Sequence, residues 1–144
     1  MDRSPYSVQV IRPGWRTRTD DGCVQSKCNI VLVNGPIGPM IINPGSAWDS
    51  SLLSSALKMA GIVNPEQDIK YVVCTDGRAE FVGCISLFQG AEMIIVGHDI
   101  QKRGDIFLDH DFYSMIPFEL DEFVGLLPLD NFYLSIGYIY ELDF

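Results

Sequence analysis

Residues 69–88, IKYVVCTDGRAEFVGCISLF, constrain the chain more than any other stretch. Residues 69–74 form an apolar run rich in β-favouring side chains, short enough to be a buried strand. Thr75, Asp76, Gly77 and Arg78 make a polar turn, and residues 79–88 are apolar and compatible with a helix. A buried strand that hands over to a helix needs a sheet to lie in. It also sets the connecting loop at the sheet edge, where rigid elements commonly hold functional side chains. The side chains mounted there are Asp76, Arg78, Glu80 and Phe81.

The flanking sequence supplies that sheet. Residues 6–12 alternate, with Tyr6, Val8 and Val10 on one side, which predicts a half-buried strand closed by Pro13 and Gly14. Residues 16–27 are polar and read as a loop. Residues 29–33 (NIVLV) predict a buried strand, and residues 40–43 a second one after the turn-rich NGPIGP, giving a hairpin. The clearest helix signal follows. Asp49 or Ser50 can cap it, Leu52, Leu53, Ala56, Leu57 and Ala60 form one apolar stripe, and Gly61 suits a left-handed stop with Ile62 packing back. Asn64-Pro65 reads as a turn into the central strand. Residues 92–96 (EMIIV) predict a further strand, ending at Gly97, His98 and Asp99. Residues 100–115 hold Asp105, Asp109, His110 and Asp111 with no clean period, and residues 118–127 and 132–140 are weakly strand-like. A strand–helix–strand order of this kind predicts crossover connections on a buried sheet.

A length of 144 residues, 47% of them apolar, suits a single domain with a real core and argues against disorder. No apolar run approaches the ~18 residues of a membrane span, and the N-terminus lacks an apolar signal core, so the expectation is a cytoplasmic chain with no membrane partner. The net charge of −9 is uneven: residues 99–144 carry ten acidic side chains against Lys102 and Arg103. That disfavours a nucleic-acid partner. Arg3, Arg12, Arg16, Arg18 and Lys27 form a basic N-terminal cluster able to contact an anion, although a solvated charged edge is the commoner arrangement. Cys23, Cys28, Cys74 and Cys84 match no zinc-knuckle spacing and read as reduced thiols. A nucleophilic Cys74 would need a nearby base, and no histidine is close in sequence.

The order of these landmarks resembles the N-terminal half of the metallo-β-lactamase fold family. The likeness runs over residues 5–100: a hairpin, a loop carrying Trp48-Asp49, a helix, then Val72-Val73-Cys74-Thr75, with Phe81-Val82-Gly83, Leu87-Phe88 and Val96-Gly97-His98-Asp99 in step. The resemblance implies an α/β (α+β) architecture. It would be a partial αββα sandwich with a mixed sheet and helices on one face, in one domain over residues 1–144 with a divergent tail at 101–144.

The resemblance also implies zinc chemistry, and the chain departs from it there. After the Thr the family has His-x-His-x-Asp-His, whose imidazoles and carboxylate hold zinc and lower the pKa of a bound water. Those positions are Asp76, Arg78, Glu80 and Phe81 in this chain. Arg78 stays protonated and has no lone pair to give, and Phe81 has no ligand atom. Asn43 stands where many members carry a supporting acid, and Thr75, His98 and Asp99 are the other supporting positions. No Pro-Gly pair that would carry the second half's metal histidine follows Gly104. The expectation is therefore no catalytic residue, no zinc and no other cofactor, in a degenerate relative that acts by binding. One alternative is an active metal-dependent hydrolase or endoribonuclease with hard ligands led by Asp76 and Glu80, helped by His98, Asp99 and the 105–111 acids. Another is a subunit completed by a homodimer or protein partner; Phe132, Tyr133, Tyr138, Tyr140 and Phe144 either cover the open face within the chain, which is the default, or meet that partner. An Arg78 ion pair with Asp76 and Glu80 would tie the loop in place of a metal.

Overall fold

The computed structural model describes residues 5–120, 124–128, 132–136 and 140–143. A seven-stranded mixed sheet carries the fold, in the order β1-β4-β5-β6-β7-β8-β9. Its strands are β1 (Ser7–Arg12), β4 (Ile30–Asn34), β5 (Met40–Ile42), β6 (Tyr71–Cys74), β7 (Met93–Val96), β8 (Asp99–Lys102) and β9 (Ile106–Leu108). β4 and β5 form the antiparallel hairpin expected from residues 29–43, while β5–β6 and β6–β7 are parallel. The first crossover carries the helix α1 (Ser50–Met59) and the single turn α2 (Pro65–Asp68), and the second carries α3 (Ala79–Val82). Gly61 ends α1 at φ 94°, and the Ile62 N–H donates to the Leu57 carbonyl at 3.0 Å with Ile62 buried, as the sequence predicts.

The central strands are apolar throughout because both faces of the sheet are covered. In β4, Ile30 and Leu32 pack with Leu53 and Leu57 of α1, while Val31 and Val33 belong to a second core on the opposite face. The same alternation splits Ile41 from Met40 and Ile42, and Val72 and Cys74 from Val73. The second core is closed by Val124 and Leu126 of β11 (Val124–Pro128). That strand lies in a four-stranded antiparallel sheet with β10 (Phe118–Glu119), β12 (Phe132–Ile136) and β13 (Tyr140–Asp143). The layers are thus helix, sheet, sheet, and the chain lays its own second sheet over the face that the sequence left open. Of the aromatics assigned to that face, Tyr138 and Phe144 lie outside the described residues, and only the backbone of Phe132, Tyr133 and Tyr140 is described.

Several local expectations are corrected. Residues 16–27 are an antiparallel hairpin of β2 (Trp15–Arg18) and β3 (Val24–Lys27), a separate two-stranded sheet. Neither strand buries an apolar face, so no alternation marks it. β1 forms, yet Val8 and Val10 stay exposed: it is an edge strand, with an irregular register between Val10 and Arg12. Residues 79–88 do not make one helix but α3 and a separate 3-10 turn, Ile85–Leu87. Gly83 interrupts them because the loop after β5 lies against it. Its N–H donates to the Gly45 carbonyl at 2.7 Å, and a Cβ there would stand 2.2 Å from the Ala47 nitrogen. Residues 100–115 contain β8 and β9, a hairpin with Ile100 buried, and a short 3-10 turn, Phe112–Ser114.

Candidate functional site

The parallel strands β5 and β6 end side by side, and Asn43 joins their ends. It adopts φ 60° and is fully buried. Its N–H donates to the Val73 carbonyl at 2.8 Å, and its Oδ1 accepts from the Thr75 N–H at 2.8 Å and the Thr75 hydroxyl at 3.1 Å. The amide Nδ2 is buried without a partner. Asn43 therefore fixes where the loop after β6 begins.

Within that loop the substituted positions are occupied with one another. Asp76 Oδ1 accepts from the Arg78 N–H at 2.8 Å, and Oδ2 accepts from Arg78 Nε at 2.9 Å with a terminal guanidinium nitrogen also at 2.9 Å. Burial acts to raise the Asp76 pKa, but the Arg78 hydrogen bonds and charge outweigh it and hold the carboxyl below its ordinary value. The guanidinium carbon of Arg78 lies 5.4 Å from the centroid of the Phe81 ring. Glu80 is half-buried. Its backbone carbonyl accepts from the Cys28 thiol at 3.1 Å, while its side-chain Oε2 is buried with no hydrogen-bond partner. Glu80 takes no part in a direct ion pair with Arg78 among the described residues, so the expected tie forms with Asp76 alone.

His98 and Asp99 are exposed at the β7–β8 turn. The His98 ring centroid lies 5.2 Å from that of Phe112 and 5.8 Å from that of Tyr113, so its neighbours are aromatic rings. His110 packs on the same Phe112 at 4.6 Å, and its Nε2 lies 2.6 Å from the Ile116 carbonyl. Among the described residues no three His, Cys, Asp or Glu side chains converge on one point. Asp76, Glu80, His98 and Asp99 are not brought together as a ligand set. Cys74 is buried in β6, and burial pushes its thiol up to about 12, the reverse of an activated nucleophile.

Two features escaped the sequence reading. The first is a polar knot around Asp49, one of the two cap candidates for α1, whose side chain makes no cap hydrogen bond. Its carboxylate turns back instead, accepting from the Ser46 N–H at 2.9 Å, the Ser46 hydroxyl at 3.1 Å, Lys27 Nζ at 3.0 Å and Arg12 at 3.4 Å. Burial would raise its pKa, but the Ser46, Lys27 and Arg12 interactions lower it to about 2. Arg12 also donates to the Cys28 carbonyl at 2.9 and 3.1 Å. Two members of the basic cluster are therefore internal ties. The second is a cleft between the β2–β3 hairpin, the loop after β5 and α3. A larger part of about 660 Å³ has Trp15, Trp48, Ala79 and Val82 among its walls, and a smaller part of about 330 Å³ has Arg16, Arg78 and Phe81. Trp15, Ser26, Lys27 and Glu80 line both. The hairpin could not be foreseen from the sequence, so neither could the cleft.

No protein-family model matches the sequence. The chain is 29% identical over 123 residues to the Xenopus laevis protein named metallo-beta-lactamase domain-containing protein 1, covering 85% of this chain and 51% of that protein. The Rattus norvegicus protein of the same name is 30% identical over 112 residues, covering 75% of this chain and 43% of the relative. The chain thus spans about half the length of these relatives, or less. The fold superposes on the crystal structure of a candidate metallo-β-lactamase from Thermotoga maritima with a TM-score of 0.60 at 13% identity, over 94% of this chain and 75% of that one. The chain has the metallo-β-lactamase fold. As in that fold, a mixed sheet carries helices on one face and a second sheet on the other.

The metallo-β-lactamase motif positions of this chain do not make the donor set that zinc takes. Zinc sites use sulfur, imidazole nitrogen and carboxylate ligands. Of the four side chains, Arg78 and Phe81 have no lone pair to donate, and Asp76 is committed to Arg78. Glu80 alone keeps an uncommitted carboxylate oxygen.

Proposed function

We propose that this chain is a metallo-β-lactamase fold protein that acts by binding, without zinc and without hydrolysis. The observation that carries the reading is the Asp76–Arg78–Phe81 arrangement. An exposed guanidinium sits in the motif loop, ion-paired with Asp76 on one side and 5.4 Å from the Phe81 ring centroid on the other. A permanent cation among would-be ligands repels a metal ion and occupies the carboxylate that would have bound it. The cleft beside the loop offers a surface on which binding can occur in place of turnover. A cytoplasmic location and a protein partner or second copy of the chain belong to the same proposal.

The hydrolase reading gains no observation of its own, because Asp76, Glu80, His98 and Asp99 form no ligand set among the described residues. Refolding the protein with excess zinc, removing free metal and measuring zinc by mass spectrometry tests the proposal. The expected result is far less than one zinc per chain and no metal-dependent hydrolysis. One tightly held zinc per chain, with cleavage of a phosphodiester or ester that is lost in Asp76→Ala and Glu80→Ala, would overturn it.

A further inference from the structure

The cleft combines three features that rarely favour the same ligand. Its larger part is walled by tryptophans, Trp15 half exposed at 49% and Trp48 exposed at 89%. Its smaller part holds Arg16, whose side chain has no hydrogen-bond or ion-pair partner among the described residues. Beside it is Arg78, whose second terminal nitrogen is left over after Asp76 has taken Nε and the first. Lining both parts is Glu80, whose carboxylate has no hydrogen-bond or ion-pair partner among the described residues. Lys27 also lines both, but Asp49 and Ser46 hold its ammonium.

These features exclude simple ligands. A plain anion would meet Arg16 and Arg78 but be repelled by Glu80. A plain cation would satisfy Glu80 and be repelled by the two guanidinium groups. A neutral apolar molecule would fill the tryptophan-walled part and cover the Glu80 carboxylate without pairing it, which is costly for a charged group. A molecule with an ammonium and a carboxylate at one end and a flat apolar group at the other satisfies all three. Guanidinium groups hold carboxylates through paired, charge-assisted hydrogen bonds, and indole faces suit aromatic rings. The larger part of the cleft is of the size that holds a small organic molecule.

We propose that this cleft binds a free α-amino acid with an aromatic side chain, its ammonium on Glu80, its carboxylate on Arg16 and Arg78, and its ring against Trp15 and Trp48. The inference rests on the binding reading above and names the ligand class for it. In this arrangement Arg78 supplies, as a side chain, positive charge in the loop where the family resemblance implies a metal.

Both tryptophans of the chain line the cleft, so intrinsic fluorescence reports on it directly. L-phenylalanine is the probe, because it does not absorb where tryptophan is excited. 3-Phenylpropionate lacks the ammonium and phenethylamine lacks the carboxylate. Saturable quenching by phenylalanine is expected, with each half-molecule binding at least about tenfold more weakly, as loss of one charge-assisted contact implies. Arg16→Gln should weaken phenylalanine and phenylpropionate by a similar factor and leave phenethylamine unchanged, and Glu80→Gln should do the reverse. Arg16 and Trp48 are exposed, so Arg16→Gln and Trp48→Ala remain informative if the Glu80 variant fails to fold. No saturable response at millimolar phenylalanine, equal binding of all three compounds, or an Arg16→Gln variant that binds like the wild type would overturn the inference. Zinc content measured on the same sample separates the two failures. Zinc-free protein that ignores phenylalanine refutes the ligand class alone, whereas stoichiometric zinc with hydrolysis refutes the binding reading beneath it.

Discussion

Replacing Asp49 by Asn should cost about 2–3 kcal/mol at neutral pH. The carboxylate is 6% exposed and joins Arg12 on β1, Lys27 on β3 and Ser46 in the loop after β5. Its pKa falls from 3.8 to about 2. At about 1.36 kcal/mol per pKa unit, the ionised form stabilises the folded state by roughly 2.4 kcal/mol. A folded-state pKa below the unfolded one means that this stability is complete above pH ~5, fades below the unfolded value of about 3.8, and is largely gone near pH 2. About half should remain at pH 3. Breaking a fully buried pair can cost 3–5 kcal/mol, but two effects temper that here. Lys27 is 29% exposed and can recover water, and Arg12 keeps its bonds to the Cys28 carbonyl. Urea unfolding of wild type and Asp49→Asn at pH 7 and pH 3 checks the estimate, and a midpoint shift of roughly 1–2 M is expected at pH 7. A difference under ~0.5 kcal/mol at pH 7, or one that is just as large at pH 3, would refute the assignment of Asp49 as an ionised internal tie.

Asn43 separates backbone strain from hydrogen bonding. Asn43→Gly keeps the left-handed conformation and loses the two bonds from Thr75, whereas Asn43→Ala loses both and is also strained at φ 60°. Equilibrium unfolding should show Ala costing about 2–4 kcal/mol and Gly about 1 kcal/mol less; equal costs would remove the strain argument. Cysteine labelling should distinguish one thiol from three. Cys23 is exposed and should react within minutes under native conditions, while Cys28, Cys74 and Cys84 are buried and should react only on unfolding. Mass spectrometry of the alkylated native protein should find one adduct per chain.

The parts of the fold that were legible are those in which burial writes a periodic or continuous pattern. The run 29–33, the stripe on α1 with its Gly61 stop, and the strands beginning near residues 71 and 93 all bury apolar side chains. The β2–β3 hairpin left no such mark, because its stability comes from backbone pairing and not from an apolar face. The break in the helix after β6 was hidden for another reason. Gly83 is set by the approach of the loop after β5, some 37 residues earlier in the chain, and no local propensity encodes that contact.

At the candidate site the same division holds. That Arg78 and Phe81 cannot donate a lone pair is a property of the residue types, so the sequence alone determined that these two positions bring no zinc ligand. The long-range pairings were decided only by tertiary structure. Asp49 could cap a helix or bind Arg12 and Lys27, and Asn43 could be any turn residue until β5 and β6 lie side by side. Glu80 comes to line a cleft with the distant β2–β3 hairpin, its carboxylate unpaired, only in the folded chain. Chemistry is carried by each side chain individually, whereas partners are chosen by which distant segments the packed core brings together.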